Sequence, residues 1–247
     1  MGIKTISAVV AIVLASAAST AGAAPAIPTT EQLDRLEHEI VRAEDIEAIK
    51  RLTYAFGYYR DKFLDDEALK VFTDNAEYHI LNGRYRGKES IRRLFASARY
   101  RPEGATPKVQ GPQQGILNDR ILLQHTITLA EDGQSAKIRF KDWTQQAKFG
   151  VNQTYSLGAY EGQLVKQDGQ WLFSRLVQCT RYSVPYLTSY LDLPMPDNQG
   201  PVPTFYPADP DGPDWYTNEG CHQFPNYGLS PKPHFVHPVT GEPYHKP

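Results

Sequence analysis

The apolar positions change their period along the chain, and those changes divide it. After Thr29-Thr30-Glu31-Gln32, which fits a capping box, Leu33, Leu36, Ile40 and Ala43 recur at spacings of three and four. That is the pattern of a charged helix with a narrow apolar stripe, suited to packing on a neighbour or a partner subunit. A second helical pattern carries Ile46, Ile49, Leu52, Phe56 and Phe63, and a short helix through Leu69 and Phe72 follows it. A strand is predicted near residues 77–81, then a turn at Asn82-Gly83 and a helix opening at Gly87-Lys88-Glu89-Ser90 with Ile91, Leu94 and Phe95 on its apolar side. Residues 101–115, rich in Pro and Gly, read as a loop.

From Ile121 the period drops to two. Residues 121–129 alternate Ile, Leu and His with Gln and Thr, and Glu131-Asp132-Gly133 signals a hairpin turn. Residues 136–143 return, 155–166 run out again, and Gln167-Asp168-Gly169-Gln170 makes a second turn. The last long strand, 171–182, is expected to hold Trp171, Phe173, Val177 and Cys179 on one face. Helices first and a meander of long antiparallel strands afterwards predict an α+β fold, with helices packed on one face of a curved sheet.

Both ends of the chain differ from this middle. Lys4 precedes an apolar run from Ile6 to Ala18, and Ala21-Gly22-Ala23 has the small-x-small form of a signal-peptidase site. The run is shorter than the roughly 20 residues a spanning helix needs, so residues 1–23 are expected to be a cleaved leader and the mature chain exported, periplasmic or secreted. In an oxidising compartment the only two cysteines, Cys179 and Cys221, are expected to pair, closing a loop of about forty residues. At the other end, 13 of the 19 prolines lie in residues 192–247, which excludes regular helix or ladder there. The aromatics among them suit a tail that wraps the body or binds a partner. The boundaries are thus a leader 1–23, a helix 24–43, a domain 44–191 and a tail 192–247.

Charge narrows the function classes. Lys+Arg 26 against Asp+Glu 28 leaves no basic footprint for nucleic acid. Phosphate-binding glycine loops and a Gly-x-Ser-x-Gly elbow are absent from the sequence. His234-x-x-His237 lacks the carboxylates and spacing of a metal site, and none is assigned.

Within residues 40–180, several motifs occur in a telling order. Asp45-Ile46-x-x-Ile49-x-x-Leu52-x-Tyr54, then Tyr58-Tyr59-Arg60-Asp61 with Phe72 eleven residues on, resembles the opening helices of SnoaL-like proteins of the nuclear-transport-factor-2-like superfamily. Gly83-x-Tyr85-x-Gly87-x-x-x-Ile91 resembles the family's turn into its third helix. Asp132-Gly133-x-x-Ala136-x-x-Arg139, Gly158-x-Tyr160 and Lys166-x-Asp168-Gly169-x-Trp171 resemble its hairpins. The resemblance implies a cone with a deep apolar pocket, a possible homodimer through the outer sheet face, and an enzyme working without a cofactor. Relatives include polyketide cyclases, scytalone dehydratase, ketosteroid isomerases and lyases of lignin-derived aromatic diols. Fold membership alone does not establish catalysis.

Cofactor-free proton transfer needs a base with a raised pKa and a donor for developing charge. The resemblance puts Asp61 at the family's helix-end carboxylate, facing the pocket only if the helix ends near Arg60; otherwise it is a solvated surface residue. Tyr59 is the favoured phenol donor, with Tyr58 and Phe56 beside it. The family's dehydratases keep a pocket histidine on the strand before the first long hairpin, where this chain has Asn118-Asp119-Arg120. Asp119 or Arg120 is therefore a candidate substitute. So is His125, expected on the same strand face as Asp119. Arg139 and Trp143 share one face of the next strand, and Tyr160 stands between Gly158 and Gly162; these three are candidate substrate contacts. The expected function is a lyase that dehydrates a hydroxylated aromatic molecule or releases a small carbonyl fragment. A non-catalytic binder of an apolar ligand, or an isomerase or cyclase, would use the same residues.

Overall fold

The computed structural model describes residues 28–97, 101–189, 212–217, 221, 224 and 231–243. The leader predicted over residues 1–23 lies outside them, as does most of the Pro-rich tail. Two units divide between Val41 and Arg42. The helix α1 (Thr30–Asp61) runs through that boundary, so the two predicted helical patterns form one element of 32 residues. Its capping box is present: Gln32 N donates to Thr29 Oγ1 at 3.2 Å and Thr29 N to Gln32 Oε1 at 2.9 Å. Leu33, Leu36 and Ile40 are all about half exposed.

In the second unit α1 is followed by α2 (Asp65–Leu69), β1 (Phe72–Ile80), β2 (Gly83–Arg86) and α3 (Lys88–Ala96). Then come β3 (Ile116–Leu129), β4 (Ser135–Lys148), β5 (Asn152–Gln167), β6 (Gln170–Pro185) and the short β7 (Trp215–Tyr216). Phe72 thus opens a strand and not the end of a helix. The sheet order is β3-β4-β5-β6-β1-β2-β7, antiparallel throughout except where β1 runs parallel to β6. The α+β class with helices on one face is what the period change predicts. Asp168 and Gly169, at φ 50° and 76°, make the tight turn between β5 and β6.

Alternation sets two faces. Ala136, Ile138, Phe140, Asp142 and Thr144 of β4 are buried on the inner one, beneath a core of Phe56, Phe72, Phe95 and Phe173. Phe56, a candidate substrate contact, belongs to that core, with ring centroids 5.7 Å from Phe72 and 6.2 Å from Phe95 and Phe173. Trp171 is tied to α1 by its Nε1, which donates to Asp45 at 2.8 Å, and Lys166 reaches the same carboxylate at 2.7 Å.

Two bulges redirect side chains that strict alternation would place otherwise. In β3 the pairing slips between Leu123 and Thr126, with Gln124 at φ 54°. Two residues there oppose one, so His125 turns inward while Asp119 faces outward; the expectation that they share a face fails for that reason. In β6 the pairing skips Ser174, so Trp171 and Phe173 face inward while Val177 and Cys179 face out. Cys179 there bonds to Cys221, as the cysteine count predicts. A loop of 42 residues is worth about 3–4 kcal/mol in the chain-entropy treatment. Cys179→Ser is expected to lower unfolding free energy by about that amount in urea titration, and an unchanged midpoint would contradict it.

The described parts of the tail lie on the outer face, along the β2 edge and against α3. Arg139 Nη1 donates to Glu161 at 2.9 Å and to the Pro231 carbonyl at 2.7 Å, and His234 Nδ1 bonds Glu161. Asp214 accepts from Ser90 Oγ at 2.6 Å and from the Arg86 N–H at 2.7 Å. None of the described helices is long and apolar enough to cross a membrane.

Candidate active site

The site starts from how α1 ends. Leu64 N donates to the Tyr59 carbonyl at 2.9 Å and Phe63 N to the Arg60 carbonyl at 3.4 Å, with Phe63 at φ 52°. This is a Schellman closure with a phenylalanine in the usual glycine position. Burial of the Phe63 ring, 4.9 Å beneath the Arg101 guanidinium, offsets the backbone cost. Asn118 of β3 then clamps the helix end, donating from Nδ2 to the Arg60 carbonyl at 2.8 Å while Gln146 holds its Oδ1 at 3.0 Å. The helix therefore stops where Asp61 can face inward.

Asp61 is 5% exposed, and its Oδ1 is buried without a hydrogen-bond partner. Burial pushes its carboxyl up to about 6, and Asp119 adds to that against the opposing pull of Arg120. The carboxylate lines a cleft of about 300 Å³ with Tyr54, Gly57, Tyr58, Asp119 and Arg120. Asp119 itself is exposed at this cleft, on the outward side of β3.

Arg120 lines the cleft and also an interior cavity of about 290 Å³. Its Nη1 donates to the Tyr160 hydroxyl at 2.8 Å and lies 3.5 Å from Asp142 Oδ2; its Nε is buried and unpartnered. Thr144 Oγ1 donates to that same Asp142 oxygen at 2.9 Å, whereas Asp142 Oδ1 is buried without a partner. Gly158 makes room for it: a Cβ there would overlap Asp142 Oδ1 and come within 3.2 Å of the Cys179 carbonyl. Gly162 likewise clears Ile138 and Phe173, so neither glycine opens space for a flat ligand.

The cavity is lined by both polar and apolar groups. Arg60, Arg101 and Arg120 face it with Asp142, Tyr78 and Gln178, against Ile80, Leu94 and Phe95. Tyr78 donates to Gln178 at 2.6 Å, and burial raises its phenol to about 12 and that of Tyr160 well above the ordinary value. Both phenols stay protonated near neutrality. Tyr160 accepts from Arg120 and turns its own proton to the Tyr78 hydroxyl. The wholly apolar interior implied by the resemblance is not what these residues build.

The other candidates are scattered. Tyr59 faces a separate groove with Leu52, Lys70 and Trp171, because one step along the helix turns it about 100° from Asp61's neighbour Arg60. Tyr58 is on the cleft rim and 70% exposed. His125 stacks on Phe140 at 5.4 Å and meets Tyr54 edge-on at 4.8 Å, its Nε2 buried and unpartnered; burial lowers its pKa. Phe140 stacks in turn on Tyr160 at 4.5 Å. Arg139 and Trp143 point outward, Arg139 into the tail and Trp143 43% exposed. Asp61, Asp119, Arg120 and Tyr58 gather around one cleft, and Tyr160, fully buried, meets Arg120 from the inner side. Asp142, Tyr78, Arg60 and Arg101 were missed by sequence reasoning. The inward register of Asp142, two residues from Phe140 on an alternating strand, was the available signal for the first.

Among the described residues no group of His, Cys, Asp and Glu is arranged to hold a metal ion. No curated protein matches the chain. Solved structures do. A hexachlorocyclohexane dehydrochlorinase, LinA type 2, superposes with a TM-score of 0.51 at 17% identity over 63% of this chain and 98% of its own. LinA type 3 from Novosphingobium barchaimii LL02 gives 0.51 at 16% over 63% and 99%. A Novosphingobium aromaticivorans protein with a provisional scytalone dehydratase name gives 0.50 at 16% over 61% and 93%. At such identities these likenesses show the fold. The SnoaL-like domain model matches residues 41–177, more than half of the sequence, and the chain belongs to that family.

Proposed function

We propose that the chain is a cofactor-independent lyase acting by elimination on a hydroxylated aromatic small molecule, of which lignin-derived diols are an example. The observation that carries this reading is Asp61, a buried carboxylate with an unpartnered oxygen and a pKa of about 6, beside the Arg120 guanidinium. A carboxylate held so can take a proton from carbon near neutral pH. In the step, Asp61 takes the proton of the C–H bond, whose electron pair becomes the new C=C bond as the C–O bond breaks with its own pair leaving on oxygen. Arg120, held from behind by Tyr160, stabilises the charge on that oxygen, and Asp61 returns its proton so that water departs. Asp142 and Thr144 orient Arg120 and take no part in the transfer. Both the base and the charge stabiliser belong to the chain, so the scheme calls on no cofactor. The dehydrochlorinase and dehydratase names carried by proteins of the same fold are eliminations too. The disulfide, together with the leader predicted from the sequence, supports an exported protein.

The test incubates the mature protein with aromatic diols and phenolic alcohols without added cofactor, followed by mass spectrometry. Loss of water or of a formaldehyde-sized fragment is expected. Because Asp61 must be ionised to act, kcat/KM is expected to rise with pH through about 6 and then level. Conversion at constant mass would make the protein an isomerase, and binding without conversion would make it a carrier of aromatic ligands.

A further inference from the structure

The interior cavity has a buried donor, Arg120 Nε, that the elimination scheme does not use. Three guanidinium groups face the cavity; Asp65 and Asp142 serve them from within the fold, and Asp61 lies near Arg120 at the adjoining cleft. Arg60 pairs with Asp65 at 2.6 Å, and Arg101 bonds the other oxygen of the same carboxylate. Arg101 spends its remaining donors on the carbonyls of Phe95, Thr106 and Val109, at 2.7–3.1 Å. Arg60 lies over the Phe95 ring, 3.8 Å from its centre. Arg120 has Asp142 at 3.5 Å, longer than a good charge-assisted hydrogen bond, and a neutral phenol as its nearer partner. Its side chain is nine-tenths buried, yet Nε is unpartnered. The remaining polar lining, Tyr78, Gln178, Thr180 and Ser183 among it, is neutral. A buried guanidinium with a donor unused is costly, and an anion beside it removes that cost. Burial also lowers Arg60 to about 10, with Arg120 and Arg101 repelling it in the same direction.

We infer that this cavity binds a monoanionic aromatic acid, its carboxylate held by Arg120 in the field of Arg60 and its ring against Leu94, Phe95 and Ile80. The planar guanidinium fork, with its Nε unused, matches the two oxygens of a single carboxylate. A volume of about 290 Å³ admits one ring and its substituents. The inference goes beyond the proposed function: Asp61 does not line this cavity, and Arg120 is the residue common to both places. Asp142 and the ligand compete for one guanidinium, which gives the binding a sign that a merely structural arginine would not show.

Calorimetry at pH 7.5 and fixed salt compares benzoate with benzamide, its neutral isostere. The wild-type chain is expected to bind benzoate at least about tenfold more tightly. Asp142→Asn, which frees Arg120, is expected to tighten benzoate by about fivefold and leave benzamide unchanged. Arg120→Gln is expected to abolish the preference. Equal affinity of the wild type for the two probes, or weaker benzoate binding by Asp142→Asn, would overturn the inference even if Arg120→Gln does not fold. A benzoate preference in a chain that converts no aromatic compound would uphold it and discard the elimination. Turnover of neutral diols without that preference would do the reverse.

Discussion

Asp61→Asn is expected to remove turnover and to make the protein more stable. The amide keeps the shape of the carboxylate but cannot take a proton, so the rate should fall by about 10²–10⁴-fold. The stability gain follows from the same burial that makes Asp61 a base. Its carboxyl stands at about 6 in the folded chain against an ordinary 3.8, so the native state is penalised wherever the group is ionised. That penalty is absent below about pH 4, grows between 4 and 6, and is complete above about 6. At neutral pH it amounts to about 1–3 kcal/mol. Melting curves of wild type and variant should therefore separate at pH 7.5 and converge near pH 4. If the variant is no more stable at pH 7.5, or still turns over substrate, Asp61 is not the strained base described above.

The second large effect concerns Arg120. Arg120→Leu leaves Asp142, 3% exposed, without its one charged partner among the described residues. Removing one member of a buried pair typically costs about 3–5 kcal/mol, most of it from the charge left behind. Replacing both residues removes that orphan, and Arg120→Leu with Asp142→Leu should recover most of the loss. The coupling is read from urea midpoints of the two single variants and the double. Strictly additive losses would mean that Arg120 and Asp142 do not act as a pair.

Much of the architecture was legible because period and turn chemistry agree. The change from helical spacing to alternation at Ile121, and the Asp-Gly turns, place the long strands β3 to β6 within a few residues of their observed ends. Asp61 was legible only through the condition that α1 ends near Arg60. What ends it, a phenylalanine in the left-handed region and a distant Asn118, has no local sequence signal. His125 and Cys179 were put on the wrong faces because a bulge is one residue long, and alternation has no way to register it. The arginine pair of Arg60 and Arg101 was illegible for another reason: the groups meet through Asp65 across 36 positions of chain. Tyr59 is the phenol donor that the sequence favours, whereas the phenol that reaches Arg120 comes from the fifth strand.

The bulge in β3 also shapes how this scaffold can change. Because Gln124 and His125 together oppose one residue, the strand has two halves with independent phase. The first half carries Asn118 and Arg120 to the site; the second carries Ile127 and Leu129 to the core. Deleting Gln124 would leave one half in phase and turn the other inside out, whereas β4, which pairs with β3 and β5 and has no bulge on the β5 side, tolerates no length change at all. Variation in length near the site is therefore confined to β3, while β4 can vary only in what it displays. A descendant of this chain with altered chemistry should keep the length of β4 and exchange its inward side chains, Asp142 and Thr144 foremost.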